Sequence, residues 1–328
     1  MRSDHGLNLF CGLLLAGMAA LIPGAALAQG FPAKPITMIV PFAPGGPAEV
    51  IARTVAQPMA QHLGQQVIVE LKPGAGGNIG SEYVAKQARR DGYTILYGST
   101  SLASNVSLMK LNYDPRQDLV PIAGINMVPN LLIVGPGSPF KSVAELIAAA
   151  RAKPGAITFG SSGPGTSSHL VAELFKASAG IDILHVPYKG SGAVLADLVA
   201  GRVDMLMEVQ SSALGRVRSG QVRALATSAP RRANSLPDVP TIAESGFPGF
   251  EMGAWGGLFA PAGTPADAMA KLEDATVRSI GSDAVKQQFE QMSAISIPES
   301  AAAFAKYFTA DIERWAKLVR EGHLKPLQ

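Results

Sequence analysis

The stretch Pro35-Ile36-Thr37-Met38-Ile39-Val40-Pro41-Phe42-Ala43-Pro44-Gly45-Gly46-Pro47 passes from an apolar, β-branched run into a proline- and glycine-rich turn. Directly after it, Val50, Ile51, Thr54, Val55, Met59 and Leu63 recur at helical spacing. The first pattern predicts a strand over residues 35–42 and the second a helix over residues 47–63 with one buried stripe. A strand, a short glycine turn and a helix form the opening unit of an α/β fold. The alternation continues, with strands expected at residues 66–71, 93–97, 130–134, 156–159, 182–186, 203–207, 222–227 and 257–259 and helices in most gaps. No internal repeat of fixed period is visible, which excludes solenoids and propellers.

With 47% apolar and 16% charged residues, the 328-residue chain has ample material for a core, and disorder is excluded. The 35 Gly and 24 Pro fit many short elements joined by tight turns. The net charge is +3 with no basic run longer than a pair such as Arg231-Arg232, so nucleic-acid binding is not expected.

At the N-terminus, Arg2 precedes an apolar run over residues 9–22, a Pro23-Gly24 break and Ala26-Leu27-Ala28. This is the pattern of an export signal over residues 1–28 cleaved after Ala28, and the run is shorter than the roughly 20 residues a bilayer requires. Cleavage removes Cys11, the only cysteine. A mature chain without thiols suits an oxidising compartment and excludes cysteine nucleophiles, thiolate zinc sites and disulfides.

Two segments are candidate crossings between lobes, residues 130–138 and 247–257. Two crossings make one lobe discontinuous: residues 29–131 with 252–328 form lobe 1, and residues 132–251 form lobe 2. The chemistry is expected in the glycine-rich turns that open helices, where unpaired backbone N–H groups and the helix dipole hold an anion without a cationic side chain. Such turns stand at Pro44-Gly45-Gly46-Pro47, Gly74 to Gly80, Gly160-Ser161-Ser162-Gly163-Pro164-Gly165-Thr166, and Tyr188-Lys189-Gly190-Ser191-Gly192. In an open parallel sheet all would lie at the carboxyl ends of strands, where ligands bind.

Three enzymatic signatures fail on their letters. Gly160 to Gly165 has P-loop glycine spacing but Thr166 in place of the lysine; Gly74-Ala75-Gly76-Gly77-Asn78-Ile79 lacks the last glycine of a dinucleotide fingerprint; and Pro164 breaks a hydrolase elbow. His62, His169, His185 and His323 form no metal-ligand spacing, so neither metal nor cofactor is expected. His185 reads as a core residue of an apolar strand. His169 lies in the first turn of the helix after Thr166, with a position that reaches the cleft as an open alternative.

The runs from Pro35 to Gly46 and from Gly74 to Gly80, with Gly160-Ser161-Ser162-Gly163, Gly165-Thr166, His169-Leu170, His185-Val186-Pro187-Tyr188-Lys189-Gly190, Gly201 to Met205, and Trp255 through Leu258 to Pro265, resemble the tripartite tricarboxylate transporter receptors, or Bug proteins, in the family's order. The resemblance covers essentially the whole mature chain. It implies a type II periplasmic binding protein: two α/β lobes, each a mixed sheet flanked by helices, closing on a small organic acid. It implies a monomeric receptor in the periplasm, not an enzyme, serving the membrane subunits of such a transporter. A sensory partner without its own transporter and an exported hydrolase are the alternatives. Carried over by position, the ligand residues implied are Phe42, Ala43, Pro44, Gly45 and Gly46 on one lobe, and Ser162, Gly163, Gly165 and Thr166 on the other. Ser99, Tyr188, Gly190 and Asp204 stand at the rim.

The chain departs from the family pattern where Gly45-Gly46-Pro47-Ala48-Glu49 replaces Gly-Gly-Gly-Thr-Asp, and where Met207-Glu208-Val209 follows Val203-Asp204 in place of Phe-Asp-Asn. Glu49 has two readings. As the third helical residue it satisfies the helix start. Facing the cleft, it would favour an amine- or amide-bearing ligand such as an amino acid or a nicotinamide-like compound.

Overall fold

The computed structural model describes residues 30–295, 300–322 and 324–326, so the export segment and His323 lie outside the described residues. Strand β1 (Ile36–Val40) runs into helix α1 (Pro47–Leu63), and β2 (Val67–Leu71) follows. A glycine-rich turn leads through a short α2 (Asn78–Glu82) to β3 (Thr94–Ser99), α3 (Thr100–Leu108) and the brief α4 (Pro115–Asp118). The long strand β4 (Leu119–Val134) precedes α5 (Val143–Ala152), β5 (Thr158–Ser161), α6 (Ser167–Ala179), β6 (Leu184–Pro187) and α7 (Ser191–Val199). Strand β7 (Met205–Val209), α8 (Gln210–Arg218), β8 (Arg223–Thr227), β9 (Gly253–Pro261), α9 (Ala266–Ile280), α10 (Asp283–Gln291) and α11 (Ala301–Arg320) complete the order.

The strands hydrogen-bond in the order β2-β1-β3-β9-β4-β7-β5-β6, with β8 on β4 as well. β1 is parallel to β2 and β3, and β5 is parallel to β6 and β7, while β9 runs antiparallel to β3 and β4. This is a two-lobed α/β architecture, each lobe a mixed sheet flanked by helices. β4 serves both lobes. Its residues 119–129 pair with β9, and residues 130–134 pair with β7 and β8. At about 3.3 Å per residue this strand is on the order of 50 Å long.

Sequence reading recovered β4 only at residues 130–134. Pro121, Gly124, Asn126 and Pro129 interrupt the apolar pattern that would have revealed the rest. The structure accommodates these residues with register shifts against β9 between Pro121 and Ala123 and between Gly124 and Asn126. The crossing expected over residues 130–138 begins on this strand, which runs as far as Val134, and its turn starts at Gly135.

β1 is covered on both faces, which explains its unbroken apolar run. Ile36, Met38 and Val40 pack with Ile51, Val55 and Met59 of α1. Ile39 faces the other way, with Leu96, Phe259 and the α11 residues Phe304 and Phe308. Each such buried side chain contributes roughly 1.5–3 kcal/mol. The α1 stripe sits one position from that expected, because Ala52 and Ala56 turn inward and Val50 is exposed. Near β9, Trp255 Nε1 donates to Asp311 Oδ2 at 2.8 Å and Arg314 holds the other carboxylate oxygen at 3.1 Å. A side chain on Gly257 would strike the Phe304 ring, so β9 needs glycine at that point.

The two segments that cross between lobes are tied together by fully buried polar groups. Asn130 N donates to Ser228 Oγ at 2.8 Å, Ser228 N donates to Asn130 O at 2.8 Å, and Ser228 Oγ donates to Met252 O. The Asn130 side chain also donates to Met207 O at 3.0 Å and accepts from Ser167 Oγ at 2.8 Å. Asn130→Ala orphans the last two partners, and each buried unpaired group costs about 1–3 kcal/mol. A loss of about 2–4 kcal/mol in urea unfolding, with unchanged m-value, is expected.

Candidate functional site

Five helices begin within a few residues of the carboxyl end of a strand: α1 after β1, α3 after β3, α6 after β5, α7 after β6 and α8 after β7. Their N-cap residues are Gly46, Ser99, Thr166, Gly190 and Val209, and no side chain caps any of the five. All five N-caps line one cleft of about 1220 Å³. Helices α5, α10 and α11 differ: Ser142, Ser282 and Ser300 close them with their own hydroxyls. The helices that open into the cleft thus leave first-turn N–H groups for another acceptor. In α6 the first intrahelical bond is Leu170 N to Thr166 O, which leaves the amides of Ser167, Ser168 and His169 without a helical partner.

Among the described residues, none that lines the cleft is Lys, Arg, His, Asp or Glu. Each helix start carries about half a positive charge, so the field in the cleft favours an anion and comes from the backbone. The walls are apolar, with Phe42, Ile51, Met109, Val128 and Val209. Tyr97 and Asn126 both line the cleft, and Tyr97 Oη donates to Asn126 Oδ1 at 3.2 Å, which leaves the Asn126 NH2 for another acceptor. Burial pushes the Tyr97 phenol far above its ordinary range, so it remains a donor. Among the described residues no His/Cys/Asp/Glu group has metal-ligand geometry.

Of the residues singled out from sequence, Phe42, Ala43, Pro44, Gly45, Gly46, Ser99, Gly165, Thr166 and Gly190 line this cleft. Six do not. Glu49 is turned back: its Oε2 accepts from Gly45 N and its Oε1 from Arg53 Nε, both at 2.8 Å. Those bonds, the Gly45 amide first, hold its carboxyl below the usual range. Its charge is spent on the turn and on Arg53, which removes the reason for expecting an amine- or amide-bearing ligand. Asp204 Oδ2 accepts from the backbone and hydroxyl of Thr158 at 2.7 and 2.8 Å, bracing β5. Tyr188 Oη donates to Asp197 Oδ2 at 2.6 Å, outside the cleft.

Ser162 Oγ joins a hydroxyl chain to Ser168 at 3.1 Å and to Ser191 at 3.0 Å, and Ser191 donates to Glu208 Oε1 at 3.1 Å. Glu208 is buried, and desolvation pushes its carboxyl up. Gly163 is buried beneath the turn, its N–H donated to Ser161 Oγ at 3.2 Å. His169 is buried too, below the turn and not in the cleft, where its Nδ1 accepts from Gly165 N at 3.2 Å.

Sequence reading missed Thr100, Ser101, Asn105, Asn126 and Trp255, all of which line the cleft. Ser99-Thr100-Ser101 directly after a strand was a legible helix start. Asn126, a lone amide between Ile125 and Met127, was the other available signal.

Gly165 adopts φ +76°, a left-handed conformation that a β-branched residue resists, and its bare α-carbon forms part of the cleft wall. Gly165→Val is expected to weaken ligand binding at least tenfold by calorimetry while the circular dichroism spectrum stays native.

Comparison with known proteins agrees with this geometry. The family model described as "Tripartite tricarboxylate transporter family receptor" matches residues 51–324. Protein BugT of Bordetella pertussis (strain Tohama I) is 38% identical over 313 residues, 94% of each chain. Among solved structures, R. palustris Rpa4515 with adipate is 35% identical with a TM-score of 0.77, covering 90% of this chain and 100% of that one. MatC from Rhodopseudomonas palustris with bound malate is 34% identical with a TM-score of 0.74, covering 88% and 100%. The chain belongs to the tripartite tricarboxylate transporter receptor family, whose members are periplasmic solute-binding proteins and not enzymes.

Proposed function

We propose that this chain captures a small organic acid between its two lobes in the periplasm and delivers it to the membrane subunits of a tripartite tricarboxylate-type transporter. Residues up to 131 with those from 252 onward form one lobe, and residues 132–251 the other. The observation that carries this reading is the convergence of five helix starts without side-chain caps on a cleft with no charged side chain among its described lining residues. Two of these starts, α1 and α3, follow strands of one sheet half, and α6, α7 and α8 follow strands of the other. A carboxylate that bridges the halves is fully coordinated only when they close, so it shifts the open–closed equilibrium by its differential affinity. Ala43 to Gly46, Ser99 and Asn126 supply one side, and Gly165 to Ser167 with Gly190 the other. The related structures with adipate and with malate support a carboxylate class.

Titration with adipate and malate tests this reading. A ligand at a hundredfold excess over its Kd raises stability by about 2.7 kcal/mol, read as an upward shift in melting temperature. Adipamide, which has the same chain without the charge, is expected to give no shift; equal shifts from acid and diamide would refute anion recognition. Asn126→Asp keeps the acceptor for Tyr97 but puts negative charge in the cleft lining. It is expected to weaken adipate and malate at least tenfold while the circular dichroism spectrum stays native.

A further inference from the structure

The turn over residues 162–166 rests on two stacked histidines that no part of the ligand-binding reading uses. The His169 and His185 rings lie 4.2 Å apart between centroids at 23°, and His185 stacks on Phe159 at 4.8 Å. His169 Nδ1 accepts the Gly165 N–H at 3.2 Å. His185 Nε2 lies 2.7 Å from Ser161 Oγ, which itself accepts the Gly163 N–H at 3.2 Å. Both glycine amides of the turn are therefore tied to the histidine pair, Gly165 directly on the Nδ1 lone pair of His169 and Gly163 through the Ser161 hydroxyl that meets His185.

A lone pair on Nδ1 exists only in the neutral imidazole. Protonating His169 sets a donor against the Gly165 donor. With both rings charged, two cations are stacked face to face. The groups facing the pair pull in opposite directions. Glu173 Oε1 is 3.9 Å from His169 Nε2, Lys176 opposes protonation of His185, and Asp182 is engaged by Lys176 at 3.7 Å.

We propose that His169 is a positioning residue for ligand capture: as a neutral acceptor backed by His185 it holds the turn that presents Thr166 and the α6 amides, and its protonation releases the bound acid. The proposal rests on the reading that this turn contacts the ligand. Burial, with His185 opposing, holds His169 down at about 4, and burial, with Lys176 opposing, does the same for His185. Burial pushes Glu173 up, so this nearby carboxylate itself takes a proton as pH falls. The native state thus binds these histidine protons less well than the unfolded chain, whose imidazoles titrate near 6.5. The stability supplied by the neutral pair is complete above that value and is lost as pH falls toward about 4. A periplasmic receptor is exposed to outside acidity, so capture is expected to fail in acid and hold at neutral pH.

The test compares the unmodified protein with His169→Asn and His169→Leu. Asparagine keeps an acceptor oxygen near the Nδ1 position and takes no proton, whereas leucine keeps bulk and removes the acceptor. By calorimetry with adipate and malate at pH 7.5, His169→Asn is expected within threefold of the unmodified protein and His169→Leu at least tenfold weaker. Between pH 7.5 and 3.5 the unmodified protein is expected to lose at least threefold more affinity than His169→Asn. Protonation of the acids themselves cancels in that ratio. Equal acid losses in both proteins, or normal binding by His169→Leu, would overturn the proposal. Nitrogen NMR of the ligand-free protein separates this from failure of the ligand reading. A neutral His169 with unprotonated Nδ1 at pH 7.5, and a Gly165 amide signal that moves with its titration, is expected whether or not either acid binds. A ring already charged at pH 6, or a Gly165 signal indifferent to the titration, would refute the positioning role.

Discussion

The architecture depends on the handover of β4 from one set of partners to another at Pro129 and Asn130. Upstream, the strand pairs with β9; downstream, with β7 and β8. A single backbone thus belongs to both sheet halves, and the return segment from Ser228 to Met252 is bonded to it by Asn130 and Ser228. Proline suits the junction because it has no N–H to satisfy while partners change. The parallel strands of both halves end toward one space, and the N-caps that follow them line a common cleft. The connection between the sheet halves and the cleft are consequences of one strand geometry.

The proposed anion site has no cation among its described lining residues. Three helices away from the cleft, α5, α10 and α11, close their first turns with serine hydroxyls, and the five that meet in it have no side-chain cap. The acids near the cleft are withheld from it, Glu49 by Gly45 and Arg53 and Glu208 by burial behind Ser191. An ammonium or guanidinium in the lining would hold a carboxylate even in an open molecule. Backbone dipoles divided between two halves act strongly only when both halves face the same ligand, which links affinity to closure. The same division makes the support of each turn consequential. The hydroxyl chain from Thr166 through Ser168, Ser162 and Ser191 to Glu208, and the imidazole pair beneath Gly165, hold the second half's contribution in place.

Local pattern alone determined the nine strand positions in outline, the α/β class, the helix starts after glycine turns and the failure of the enzymatic signatures. These properties depend on residues within a turn or two of one another, which spacing and turn chemistry report directly. The resemblance to the receptor family added the pairing of the Pro44 and Thr166 turns in one cleft. The full span of β4 escaped because prolines and an asparagine that bulges accommodate look like breaks in a linear pattern. Only the tertiary structure decided that Glu49 serves its own turn, that Asp204 and Tyr188 brace neighbours, that His169 lies under the cleft instead of in it, and that Asn126 lines the cleft. The assignments of His169, Asp204 and Asn126 depend on partners brought from distant positions: His185 beneath His169, Thr158 beside Asp204, Tyr97 against Asn126. A side chain's role is set by which unsatisfied group it meets first, and that meeting is a property of the folded chain.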